Sequence, residues 1–228
     1  MDQRTATHAL IQAGRRLGAR GLISAGEGNL SIRLDGERLL VTPTGARKDE
    51  LTADDLVVVR PDHEPPDARS PNGSRPTSDL AIHLAVHAAR PDAMAVAHAH
   101  LPASMALTVA GEVPDPAVLP ETAFHLPRLP LVPFAQMGSD ELATRIAAAL
   151  TDPPEPFAQA VLLERHGAVA VGSDPGHAVD RLELIEVLCR TWRDALLVKA
   201  ARAALGPAAI LGVPRDGAAS HRRGTEES

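Results

Sequence analysis

Alternation of apolar and polar positions marks the first strands of this chain. Asn29-Leu30-Ser31-Ile32-Arg33-Leu34 and Glu37-Arg38-Leu39-Leu40-Val41-Thr42 flank Asp35-Gly36, the two-residue signal of a type I′ hairpin. Upstream, residues 5 to about 20 carry Leu10 and Leu17 on one helical face among alanines, with Gly18 and Gly21 near the end. This is the pattern of an amphipathic helix closed by glycine and laid on the outside of a sheet. Leu56-Val57-Val58-Val59 reads as a third strand after a polar turn over residues 49–55, and residues 61–76, rich in proline, serine, asparagine and glycine, read as a surface loop. A helix is predicted from about Ser78 to Arg90, with Leu80, His83, Leu84 and His87 on one stripe and Thr77 or Ser78 placed to cap it. Pro91 ends it. Met94 to His100 is a central strand leading to a helix near residues 103–110, whereas the proline-broken stretch 111–128 shows no assignable element. Leu129 to Phe134 is extended, and its two prolines place it at a sheet edge. Ser139 is positioned to cap a helix running to about Leu150; strands follow over residues 160–164 and 168–171, then a long helix over 175–204 with Leu182, Ile185, Leu188 and Trp192 as its core stripe. A hairpin start mixed with helices points to an α/β layered fold rather than a doubly wound sheet.

Composition narrows the function. At 228 residues and 44% hydrophobic content the chain can bury one sizeable core, so one domain is expected over residues 1–205, with 206–228 as a frayed tail. A net charge of −6, 2% aromatics and no tyrosine argue against a nucleic-acid surface and for a small-molecule partner. The apolar runs are far short of a membrane span, the start Met1-Asp2-Gln3-Arg4 is not signal-like, and the single Cys189 excludes an internal disulfide. A soluble cytoplasmic protein is the expectation.

The candidate chemistry centres on His98 and His100, two imidazoles at i and i+2 of the central strand, which therefore point to one side and can reach one ion. A catalytic zinc takes three protein ligands and leaves a position open. His166, where a predicted strand meets Gly167, is the best candidate for the third, and Asp79 is the leading carboxylate. Three stretches, Gly26 to Ser31, Thr42 to Gly45 and Pro76 to Asp79, offer backbone N–H groups and hydroxyls of the kind that cradle phosphate. A phosphate cradle beside a metal implies a phosphorylated small molecule. Asp79 also fits the ordinary role of a first-turn carboxylate complementing a helix dipole.

These motifs occur in an order that resembles the class II aldolase and adducin head-domain family, over roughly residues 5–200. The resemblance rests on Gly28 to Arg33, Leu40 to Gly45, Pro76 to Asp79 with His83 one turn on, Arg90 to Ala93, Ala97 to His100, and His166-Gly167. It implies a three-layer α/β/α sandwich around a mixed, largely antiparallel sheet, in a homotetramer with sites at subunit interfaces. It also implies one zinc per subunit on His98, His100 and His166, and a substrate phosphate on Gly28, Asn29, Thr44, Gly45, Thr77 and Ser78. The implied activity is cleavage of a ketose 1-phosphate such as L-fuculose 1-phosphate to dihydroxyacetone phosphate and an aldehyde through a metal-stabilised enediolate, with Asp79 moving the proton.

Two departures keep other reactions open. Asp79 stands where the fuculose-phosphate aldolases of the family carry glutamate and the ribulose-phosphate epimerases carry aspartate. The tyrosine that protonates the aldehyde side in the aldolases has no counterpart; Phe124 lies nearest, and His125 or Glu121 are candidates to replace it. Epimerase, decarboxylase or dehydratase chemistry on the same metal site is therefore the alternative, and a non-catalytic adducin-like binding module is the alternative of another class.

Overall fold

The structure, a computed structural model, describes residues 1–35, 38–61 and 68–205. The expected hairpin turn runs into residues 36–37, and the expected tail is 206–228; both lie outside the described residues. In chain order the helices are α1 (Gln3–Ala19), α2 (Leu80–Ala89), α3 (Pro102–Val109), α4 (Pro120–His125), α5 (Asp140–Thr151) and α6 (Pro175–Leu205). The strands are β1 (Asn29–Asp35), β2 (Arg38–Val41), β3 (Val57–Val59), β4 (Ala95–Ala99), β5 (Leu131–Val132), β6 (Ala160–Leu163) and β7 (Gly167–Gly172). They form one seven-stranded sheet in the order β3-β2-β1-β4-β7-β6-β5. Every pairing is antiparallel except β5 with β6, so the sheet is mixed, and β5, with its flanking prolines, is the edge strand its sequence predicts. Met1–Thr191 is one compact unit holding the sheet; a second begins at Trp192, within α6. No described helix is long and apolar enough to cross a membrane.

The two faces of the sheet differ, and the difference positions the site. Residues opposite one another in a ladder share a face. On one face Val96, Val161, Leu163, Val169 and Val171 meet Ile82 and Val86 of α2 and Leu142, Ile146 and Leu150 of α5 in a single buried cluster. The opposite face of the central strands is built of Ala95, Ala97, Ala99, Ala168 and Ala170, all fully buried. On that face Leu30 and Ile32 of β1 oppose Ala97 and Ala95. Small side chains there let helices approach closely. α5 starts as expected, with Ser139 Oγ accepting from the Leu142 N–H at 3.2 Å. The expected cap of α2 differs. Asp79 occupies the cap position without a side-chain cap bond, and Thr77 Oγ1 instead accepts from the Asp79 N–H at 3.2 Å. The stretch 111–128 contains a 3₁₀ turn at Pro116–Val118 and then α4, each opened by a proline.

Candidate metal and phosphate site

β4 lies between β1 and β7, with His98 opposite Asn29 on one side and Val169 on the other. Its side chain therefore falls on the face covered by α2. His100 follows one residue past the strand end, and His166 sits in the turn joining β6 to β7. That turn is pressed against the end of β4. Gly167 has φ of +102°, and a Cβ there would collide with the Ala99 carbonyl oxygen, so only glycine brings the two segments this close. The result is a cluster of three imidazoles with ring centroids 5.0 Å apart for His98 and His100, and 4.8 Å for each of the other two pairs. One ring nitrogen from each lies within 4.8 Å of those of the others.

The donor set fits a metal ion. His98 Nδ1–H donates to the Ala168 carbonyl at 3.0 Å, which leaves Nε2 bare. That Nε2 and His166 Nε2 are buried and have no hydrogen-bond partner. Two orphaned imidazole nitrogens facing one point are costly unless an ion takes them. His100 Nδ1 lies 3.5 Å from Glu27 Oε1, so a carboxylate orients this ring. Burial holds the His98 imidazole far below its ordinary range, with the charges of His166 and His100 adding to the effect, and pushes His166 down as well. Both are thus neutral near pH 7, the form that binds metal.

Beside the imidazoles lies a cavity of about 480 Å³. Gly28, Asn29, Thr44, Gly45, Thr77, Ser78 and Asp79 all line it, so the structure brings the whole expected phosphate set and the candidate acid–base group to one place. The bridge between Pro43 and Pro76 ties the second and third of these segments together. His100 reaches the cavity wall, whereas His98 and His166 lie behind it. Asn29, which lines the cavity, also donates its amide to Asp79 Oδ2 at 2.8 Å and accepts from His83 at 2.6 Å. The candidate replacements for the missing tyrosine are elsewhere. Glu121 and His125 line a separate cleft with Arg16, Asp180 and Arg181, and Phe124 is 81% exposed.

Lys48 is the cavity residue that the sequence reading passed over. It is 1% exposed, and its Nζ donates to the carbonyls of Gly26 at 2.7 Å and Ala46 at 2.6 Å. Burial pushes its ammonium down to about 8, against the opposing pull of Asp79. The signal was present, since Lys48 and Lys199 are the only lysines in a chain whose other strong cations are arginines. Glu27, inside the Gly26 to Ser31 stretch, is a second charged residue of the cavity lining that the sequence pattern did not single out.

The chain is similar to known proteins in sequence and in fold. The family described as Class II Aldolase and Adducin N-terminal domain matches residues 8–193. A 3-oxo-tetronate 4-phosphate decarboxylase of Haemophilus influenzae is 34% identical over 182 residues, 78% of this chain and 81% of that protein. A methylthioribulose-1-phosphate dehydratase of Acidiphilium cryptum is 34% identical over 188 residues, 78% of this chain and 85% of that one. The crystal structure of L-fuculose-1-phosphate aldolase from Thermus thermophilus superposes with a TM-score of 0.73 at 28% identity, covering 86% of this chain and 96% of that one. With a family match over residues 8–193, relatives at 34% identity and a mixed seven-stranded sheet, this chain belongs to the class II aldolase and adducin family.

Proposed function

We propose that this chain is a zinc-dependent carbon–carbon lyase acting on a small phosphorylated keto sugar or keto sugar acid, with one zinc per subunit and Asp79 moving the proton. The observation that carries this reading is the convergence of a three-histidine cluster, a buried carboxylate and the small-residue lining on one cavity. His98, His100 and His166 hold the ion, which when bound supplies Lewis acidity to neighbouring hydroxyl and carbonyl oxygens of the substrate. Backbone N–H groups around Gly28, Asn29, Thr44 and Gly45, the hydroxyls of Thr44, Thr77 and Ser78, and the Lys48 ammonium hold the phosphate. Residues 1–205 are taken as the catalytic domain and 206–228 as a tail, in a cytoplasmic homotetramer whose mass in solution tests the assembly.

Within this class we favour decarboxylation of a 3-oxo sugar-acid phosphate. Loss of carbon dioxide from a 3-oxo-tetronate 4-phosphate requires one proton to be returned to the carbon left behind, giving dihydroxyacetone phosphate. Aldol cleavage of a ketose 1-phosphate gives the same product but also takes a proton from the departing hydroxyl. That calls for a group on the aldehyde side of the bond, and the chain has no tyrosine to serve there. Asp79, once it has taken a proton from water in the cavity it lines, can return that proton to the carbon, and the first reaction asks for no second group. Relatedness to a decarboxylase at 34% identity supports the same choice. The second reading is aldol cleavage of a substrate such as L-fuculose 1-phosphate, supported by the likeness to an aldolase along 86% of the chain.

Zinc-loaded protein incubated with 3-oxo-tetronate 4-phosphate, L-fuculose 1-phosphate and methylthioribulose 1-phosphate separates the readings. Dihydroxyacetone phosphate with carbon dioxide from the first substrate is the expected result. The same product with an aldehyde from the second would favour aldol cleavage. Turnover of the third alone, by loss of water, would replace both with a dehydratase. Turnover of none, by protein holding zinc, would favour the binding module.

A further inference from the structure

Behind Asp79 runs a file of mostly buried polar side chains that begins at Asn29 in the cavity lining and continues beyond it. Asp79 Oδ2 meets Asn29 Nδ2 at 2.8 Å, Asn29 Oδ1 meets His83 Nε2 at 2.6 Å, and His83 Nδ1 meets Ser31 Oγ at 2.7 Å. Ser31 Oγ then meets His87 Nε2 at 2.9 Å, and His87 Nδ1 meets Arg33 Nη2 at 3.4 Å, the longest link, while the same Nη2 donates to the His87 carbonyl at 2.8 Å. The file exists because Asn29, Ser31 and Arg33 alternate along β1 toward α2, where His83 and His87 are one turn apart.

Its two ends fix the direction of every bond. An ionised Asp79 can only accept, so Asn29 presents its NH₂ to Asp79 and its carbonyl to His83, which must donate from Nε2. Burial pushes His83 down to about 3 and His87 down to about 4, so both rings are neutral. His83 Nδ1 is then bare and takes the one hydroxyl proton of Ser31. From the other end, Arg33 can only donate, which assigns its 3.4 Å contact to a bare His87 Nδ1 and the Nε2–H to Ser31, with the Ala93 carbonyl a further acceptor beside this ring. The two deductions meet at Ser31 without conflict, and no link pairs two donors or two acceptors.

We propose that Arg33, His87, Ser31, His83 and Asn29 form a one-way hydrogen-bond chain that positions the Asp79 carboxylate, occupying Oδ2 and reserving Oδ1 for proton exchange with substrate. The proposal rests on the reading of Asp79 as the acid–base group. A proton on Oδ2 would face the Asn29 N–H, so the carboxyl takes its proton on Oδ1. The chain is not a proton wire from solvent, because an amide passes a proton only by becoming its imidic tautomer. Ser31, His83, His87 and Arg33 do not line the cavity, and they are positioning residues that act through Asp79.

Two measurements test this. Side-chain nitrogen NMR at pH 7 is expected to show His83 and His87 as neutral rings protonated at Nε2. A charged ring or an Nδ1–H tautomer at either position would overturn the chain whatever reaction the protein catalyses. Kinetically, Ser31→Ala is expected to lower kcat roughly ten- to a hundredfold with KM and zinc content unchanged. Ser31→Thr, which keeps the hydroxyl, restores most of it. In an Asp79→Asn background the Ser31→Ala change is expected to add no further loss; an equal loss in both backgrounds sinks the proposal. His87→Leu breaks the neighbouring link and gives the same pattern if Ser31→Ala fails to fold. A wild type without lyase turnover would remove the proposed function and leave the NMR result to judge the chain.

Discussion

At the residue scale Lys48 shows how burial changes the chemistry of a charged side chain. Two of its three N–H bonds hold the loops carrying Gly26 and Ala46, and its charge adjoins the lining that we assign to phosphate. With the ammonium pushed down to about 8, the charge is present at pH 7 and is lost as the pH rises through that value. KM is therefore expected to climb between pH 7 and 9.5 while zinc content stays constant. Lys48→Met should raise KM about tenfold or more at pH 7 and flatten this climb, since removing a charge-assisted contact costs roughly 1.5–3 kcal/mol. Initial rates across that range check both, and a KM independent of pH would remove Lys48 from the phosphate site. His166→Ala removes one of three imidazoles, and metal analysis after dialysis is expected to show substoichiometric zinc with the fold retained. Full retention of zinc by that variant would mean that the cluster is not the site.

At the scale of elements the decisive contact is the one between the β6–β7 turn and the end of β4. Gly167→Ala strains a left-handed backbone and drives a methyl group into Ala99. A loss of roughly 1–3 kcal/mol in urea unfolding is expected, together with weaker zinc retention, because His166 is carried on the same turn. Unchanged stability and zinc binding would show that the turn can relax without opening the cluster. Most elements were legible from period and punctuation: the alternation of Asn29 to Leu34, the serine before α5 and the leucine stripe of α6. Residues 111–128 were not, because Pro116 and Pro120 read as breaks, whereas a proline at the first position of a helix loses no hydrogen bond and starts one. The cap of α2 misled for a related reason. Thr77 and Ser78 are both capping types, but tertiary contacts turned Asp79 toward Asn29 and settled the position.

The whole molecule carries these buried histidines as a liability toward acid. His83 and His87 have lower proton affinity folded than unfolded, where the ordinary value is 6.5. The unfolded chain therefore binds more protons below that value. Their contribution to stability is complete above about pH 6.5 and is lost as the pH falls toward 3–4. Each residue adds up to ~1.4 kcal/mol per pH unit across that window. Urea midpoints of the metal-free protein are expected to drop steeply between pH 6.5 and 4, and the drop should shrink in His87→Leu. A flat profile would mean that the rings are accessible to protonation without unfolding.

What the sequence determined by itself was local: the helices and strands, the His-x-His pair, the glycines of the turns, and the motif order that marks the family. Such features depend on side chains a few positions apart, whose spacing is set by helix and strand geometry. Tertiary structure decided the rest. The register of β1 against β4 set Asn29 opposite His98, and that pairing put Asp79, Asn29, His83 and Ser31 into one line. Closure of the β6–β7 turn onto β4 delivered His166, and loop packing buried Lys48. These contacts join segments distant in the chain, and their energies come from burial and hydrogen-bond complementarity that no single segment contains.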